Sequence, residues 1–213
     1  VRQTDAAGNV SVASEAYTYT YDATPPTIAI SSDKSALKAG ETATLTFTLS
    51  ESATDFTVDD LVVTGGTLSG FTGSGTSYSA TFTPTTDSTV SGAISIASSK
   101  FSDAAGNQNA DGADTNNSVS MTVDTAIPPA PTVSLTTDSG SSNTDKLTNN
   151  GALTVNAESG ATVEYSSNGT SGWSTTAPTP STGSNTVYVR QTDAAGNVSV
   201  ASEAYTYTYD ATP

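Results

Sequence analysis

ETATLTFTLS, residues 41–50, decides the fold. Ala43, Leu45, Phe47 and Leu49 alternate with Thr42, Thr44, Thr46 and Thr48. A period of two with one apolar face predicts a half-buried antiparallel strand. SYSATFTP (77–84) repeats the pattern with Tyr78, Ala80 and Phe82, and SVSMTVD (118–124) with Val119, Met121 and Val123. In YTYTYD (205–210), Tyr205, Tyr207 and Tyr209 share one face. Glycine, proline and Ser/Thr clusters punctuate these runs, and no segment carries a helical period.

The chain also repeats itself. Val1–Pro25 recurs unchanged as Val189–Pro213, an offset of 188 residues, too long for one solenoid coil and suited to two ordinary domains. Three linkers, YDATPP (21–26), VDTAIPP (123–129) and YDATP (209–213), each join a strand end to an Asp and a proline. Each is preceded by DAAGN, at 5–9, 103–107 and 193–197. The chain therefore divides into residues 1–24, the C-terminal hairpin of a preceding repeat, and two complete units, 25–124 and 125–213. The first unit predicts strands near 27–31, 42–50, 60–64, 67–71, 77–83, 92–99 and 118–124. The second predicts them near 132–136, 152–156, 162–166, 186–190 and 199–209, with the stretch around Trp173 unassigned. Seven short strands in such a length, without cysteine, is the pattern of an immunoglobulin-like sandwich. The fold class is all-β: tandem immunoglobulin-like β-sandwiches joined by short Asp/Pro linkers. Residues 1–24 lack the rest of their sandwich, and a lone hairpin is marginal in water. They are expected to be poorly ordered or docked on a neighbour, except near Asp22.

Composition narrows the function. Twenty-one acidic against six basic residues give a net charge of −15. That balance argues against nucleic acid and anionic membrane surfaces, both polyanions. No apolar run is long enough to span a bilayer, so membrane insertion is not expected. With no cysteine there is no disulfide framework. With no histidine, the commonest general base and transition-metal ligand is missing, and Ser or Cys triads cannot be assembled. The chain is not expected to be an enzyme.

The recurring aspartates are the candidate site. In a sandwich whose successive strands reverse, DAAGN joins the last two strands at the top, and the linker Asp ends the last strand at the bottom. In an array, Asp22 then faces the Asp103 turn, and Asp124 faces the Asp193 turn. The loops after the second strands add Glu51 and Asp60 to the first junction and Glu158 to the second. Converging carboxylates repel unless a cation is present. Calcium takes six to eight hard oxygen ligands, and loops rich in Asp, Asn and Gly meet that demand, whereas nothing here suits zinc or copper. A second candidate is DSGSSNTDKLTN (138–149), bracketed by Asp138 and Asp145. The plainer reading stands beside this one: DAAGN as a hairpin turn whose Asp bonds its own backbone, and the linker Asp as a strand-end breaker.

The phrases PPTIAISSDKSALKAGETATLTFTLSES, DDLVVTGGTLSGF and FSDAAGNQN together resemble a bacterial immunoglobulin-like repeat of giant RTX-type and biofilm-associated surface adhesins. PPAPTVSLTTDSGSSNTDKLTNNGALTV with NTVYVRQTDAAGNVS resembles a second repeat type of the same adhesins. The resemblance implies an extracellular, monomeric extender module on the bacterial cell surface. Its partners are then the neighbouring repeats of the same chain, and calcium lies at the junctions on Asp22, Asp103, Asp124 and Asp193. The glycine-rich nonapeptide repeats that name the RTX class are absent. A rival reading makes one sandwich a glycan- or protein-binding module, with Trp173 and Tyr165 as its candidate surface.

Overall fold

The computed structural model describes residues 1–112 and 114–212. Ala113 and Pro213, the last residue of the third linker, lie outside it.

The alternation at 43–49 is the centre of the first sandwich. Strand β3 (Ala43–Leu49) buries Ala43, Leu45, Phe47 and Leu49 and exposes every threonine between them. It lies between β1 (Ile28–Ser32) and β6 (Ser77–Pro84), with Phe47 opposite Ile30 on one side and Tyr78 on the other. Strand β5 (Gly66–Ser74) completes that sheet in the order β1-β3-β6-β5. The facing sheet is β2 (Ala36–Lys38), β8 (Ser118–Asp124), β7 (Gly92–Ile96) and β4 (Leu61–Thr64), in that order. This is the two-sheet division of an immunoglobulin-like sandwich. Ile28, Leu45, Phe47, Phe82, Ile94, Phe101 and Met121 fill the space between the sheets. The Phe82 ring leaves no room for a Cβ at Gly66 or Gly92.

The second sandwich is smaller. Its main sheet runs β10 (Leu147–Thr148), β14 (Tyr205–Tyr209), β13 (Gly183–Thr192) and β12 (Thr162–Ser166). Against it lie only β9 (Thr132–Leu135) and β11 (Leu153–Asn156). Val187, Val189 and Tyr207 are buried between them. Polar side chains link the layers. The Tyr205 hydroxyl accepts from Leu135 N (3.0 Å). Gln191, almost fully buried, donates to the Pro129 carbonyl (2.7 Å) and accepts from Glu158 N (2.7 Å). The stretch 167–182 forms no strand; Ser174 bridges Tyr165 at the sheet edge, and Ser181 N donates to Asn185 Oδ1 (3.0 Å) on β13.

Four departures from the expected strands have physical reasons. Strands β2 and β10 are too short to show a period, and each pairs parallel with the last strand of its sandwich. Strand β7 ends at Ile96, short of the expected 99, because the Asn109 amide takes the Ala97 carbonyl (2.9 Å) and Ser99 turns to a φ of 62°. Expected strand 199–209 begins only at Tyr205, because before it two serine hydroxyls take ladder positions. Ser199 Oγ accepts from Gln191 N (3.0 Å) and Ser202 Oγ from Val189 N (3.0 Å).

In residues 1–24 only the hairpin end is built. Thr4 bridges Val10, Ser11 N donates to Gln3 O (2.9 Å), and Ser14 N donates to Val1 O (2.9 Å). Tyr17, Tyr19 and Tyr21 form no strand and are exposed.

Candidate functional site: the carboxylates at the joints

The DAAGN turn is a local structure. In all three copies the Asp carboxylate accepts the backbone N–H of the Asn four residues on, at 2.8 Å. Its other oxygen accepts from that Asn side chain, at 2.9, 2.9 and 2.8 Å. The glycines carry φ of 88°, 91° and 90°, where a side chain is strained. These hydrogen bonds favour the ionised carboxyl. That of Asn107 foremost holds Asp103 below the usual carboxylate range, against the opposing push of burial. Burial pushes Asp193 upward, but the bonds from Asn197, Gly196 and Ala195 more than offset it, and Asp193 also lies low. The hairpin-turn reading therefore describes one half of what these aspartates do.

The other half is positional. At the first joint the Asn107 amide also donates to the Asp22 carbonyl (3.2 Å), and at the second the Asn197 amide donates to the Asp124 carbonyl (3.0 Å). Each turn thus grips the linker that enters its own sandwich. At the first joint the loop after β3 closes the arrangement. Ala53 bridges Asp103, Thr54 N donates to Ser102 O (3.0 Å), and Asp55 accepts from Ser102 N (2.6 Å). Below, Phe56 packs edge-on to Tyr78, with ring centroids 5.0 Å apart, and lies 5.3 Å from Phe101. This aromatic plug anchors the loop and the entrance to the turn together.

The result is a trio: one carboxylate oxygen each from Asp22, Glu51 and Asp103, all within 4.8 Å of one another. Burial and then the charges of Asp22 and Asp103 push Glu51 above the usual carboxylate range. Three hard anionic oxygens on loops, beside further carbonyls, suit calcium or a similar hard divalent ion.

Among the described residues no second such trio occurs, and Asp124, Glu158 and Asp193 are not gathered in this way. Glu158 is exposed and engaged through its backbone N–H. Asp60 lies outside the trio: its carboxylate turns back to Thr57 N (2.8 Å) and Thr57 Oγ1 (3.1 Å), capping a short 3-10 turn at Val58–Asp60. In the 138–149 loop, Asp138 accepts from Lys146 N (3.0 Å) and Asp145 from Leu147 N (3.1 Å). One Asp138 oxygen there is buried without a partner. Asp111, in the long insert before β8, is a fully buried carboxylate that accepts from Ile28 N (2.6 Å) and the Asn109 amide (2.7 Å). It pins the insert to β1. Nothing in its spacing distinguishes it from the surface acids of the same insert.

One face of the half-buried Trp173 ring is covered. The Arg190 guanidinium stacks over it, 4.5 Å from the centroid, and is itself held by Glu164 (2.8 Å). Both belong to one outer face of β12 and β13, where Glu164 pairs opposite Arg190.

Comparison with known proteins gives a family match for the first sandwich. Residues 22–123 match the sequence model of the bacterial Ig-like domain. The match starts at Asp22 and contains the whole trio. A solved structure of the fibronectin(III)-like modules of Clostridium thermocellum CbhA aligns over 85% of this chain and 94% of its own, at 14% identity and a TM-score of 0.32. No curated protein sequence matches the chain. Among the described residues no helix is long and apolar enough to cross a membrane.

Proposed function

We propose that this chain is a spacer segment of a large, calcium-dependent bacterial cell-surface adhesin, working outside the cell as a monomeric rod. The joints fall at 24/25 and 124/125, and each sandwich is one link. The observation that carries this reading is the repeated grip of a DAAGN turn on the linker before it, at Asp22 and again at Asp124. Chain entry and exit lie at opposite poles of each sandwich, so links add end to end. A strand of eight residues spans about 26 Å. Proline after each linker Asp trims the freedom of the joint. The Arg190 guanidinium on one face of the Trp173 ring speaks against the glycan-binding alternative.

Calcium at Asp22, Glu51 and Asp103 would offset two of the trio's three negative charges and fix the first joint. Binding to the docked state alone adds RT ln(1 + [L]/Kd), about 2.7 kcal/mol at a hundredfold excess over Kd. Calorimetric titration of the full chain with calcium tests this. The expected result is binding tighter than millimolar that Glu51→Gln weakens at least tenfold. Equal affinity in the variant would remove calcium from the joint.

A further inference from the structure

The two joints are not built alike. At the second, the Asn197 side chain is buried and makes three bonds. Its amide donates to the Asp124 carbonyl (3.0 Å) and to Asp193 (2.8 Å), and its oxygen accepts Ala39 N (2.8 Å) from the sandwich below. Beside it, Lys38 Nζ donates to the Gly196 carbonyl (3.1 Å), within the turn that Asp193 opens. A Cβ at Gly196 would lie 3.2 Å from that ammonium and 3.6 Å from the Lys38 stem. So the lower pole of the first sandwich reaches across with a positive charge and a backbone donor.

The second sandwich ends differently. Lys38 stands opposite Asp124 in the parallel pair β2–β8. In the matching pair β10–β14, Thr148 stands opposite Tyr209, so the residue beside Asp210 is Asn149, followed by Asn150. That pole carries amides where the first carries an ammonium. Its linker, Asp210–Pro213, has the same sequence as Asp22–Pro25, the linker that meets the acidic trio.

We propose that Lys38 and Asn197 latch the second joint, so that it holds without a divalent ion whereas the first joint requires one. The contrast rests on the calcium reading of the first joint; the latch itself does not. An ammonium on a carbonyl of the Asp193 turn places a positive charge at the second joint, where the trio takes one from solution. A chain of such links then has two kinds of joint, one set by calcium and one permanently closed.

Spin labels on cysteines introduced at the exposed strand positions Thr46 and Ser184, in the otherwise cysteine-free full chain, report the distance distribution between the two sandwiches. It should be narrow and indifferent to chelator. Lys38→Met keeps the apolar stem and loses the charge, and should broaden the distribution roughly twofold, since relative motion is the default for a small interface. Asn197→Ala should do the same. An unchanged distribution in Lys38→Met, or chelator broadening the unsubstituted chain as much as that variant is broadened, overturns the latch. Glu51→Gln in the same labelled chain separates the two readings. It should weaken calcium binding and leave the 46–184 distance alone. If it leaves calcium binding intact, the calcium reading fails and the latch stands.

Discussion

Residues 1–25 and 189–213 have the same sequence, yet residues 1–24 and 189–212 have different structures. Both form the hairpin closed by DAAGN, with the same bonds from Asn to the Asp carboxylate and the same serine hydroxyls accepting from the glutamine N–H before the turn. Beyond the hairpin they part. Tyr205–Tyr209 is a strand with Tyr207 3% exposed, whereas Tyr19, its counterpart, is 77% exposed and in no strand. The partners decide. Strand β14 pairs with 183–187 and with β10, and none of those residues belongs to the repeated segment. A turn that satisfies its own polar groups travels with its sequence; a strand whose hydrogen bonds and apolar face lie elsewhere does not.

The largest test of this comparison is amide exchange. Protection in a strand approaches the global stability of its domain, while an unpaired segment exchanges at nearly the rate of an unfolded chain. Residues 205–209 should therefore exchange several orders of magnitude more slowly than 17–21. Equal protection in the monomer would show that the first copy finds a partner of its own.

Stability measurements come next. Tyr207→Ala empties a buried site and should cost the second sandwich about 3 kcal/mol in denaturant unfolding. Tyr19→Ala, the same change in the same sequence neighbourhood, should cost nothing measurable. If the two variants unfold alike, context is not what separates the copies.

A smaller difference should follow at glutamine. Gln191 bonds Pro129 O and Glu158 N inside the sandwich. Removing its side chain leaves a carbonyl and an N–H unsatisfied, so Gln191→Ala should cost about 2 kcal/mol. Gln3 is exposed, and Gln3→Ala should be silent. Thermal unfolding of both variants checks the pair; equal shifts would mean that the buried bonds contribute nothing.

The same distinction governs what could be read from the residues alone. The alternation at 43–49 was legible because a strand's two faces are written in its own residues. The parallel strands β2 and β10 were not, being three and two residues long. The 199–204 segment looked like strand because serine hydroxyls standing in the ladder leave the alternation intact. Asp22 and Asp103 were legible as candidates through their recurrence, and Glu51 through the loop it sits in. Asp60 belongs to that same loop, but its carboxylate turns back to Thr57, and only coordinates show this. Lys38 and Asn197 gave no signal, since their contacts across the second joint join residues 158 apart in the chain.

The smallest effect is a titration, and it sharpens the comparison most directly. If the turn is local, Asp5 and Asp193 should titrate alike despite their different surroundings. Hydrogen bonds, that of the Asn9 side chain foremost, hold Asp5 below the usual carboxylate range, and Asp193 is low as well. A depressed carboxyl contributes stability that is present above its unfolded value and lost as pH falls through the folded one. Both turns should therefore loosen only in acid. Glu51 has the opposite sign. Its raised value means that the docked joint holds a proton where the undocked one has lost it. Without a divalent ion, docking of residues 22–24 should weaken as pH rises from the ordinary glutamate range through the raised value, then level off. Calcium should reverse that trend, since it binds the ionised trio. Carboxyl-carbon chemical shifts followed from acid to neutral pH, with and without calcium, report all three groups at once. An ordinary Asp5 beside a depressed Asp193 would make the turn a product of the sandwich. A Glu51 indifferent to calcium would leave the first joint as three crowded carboxylates and nothing more.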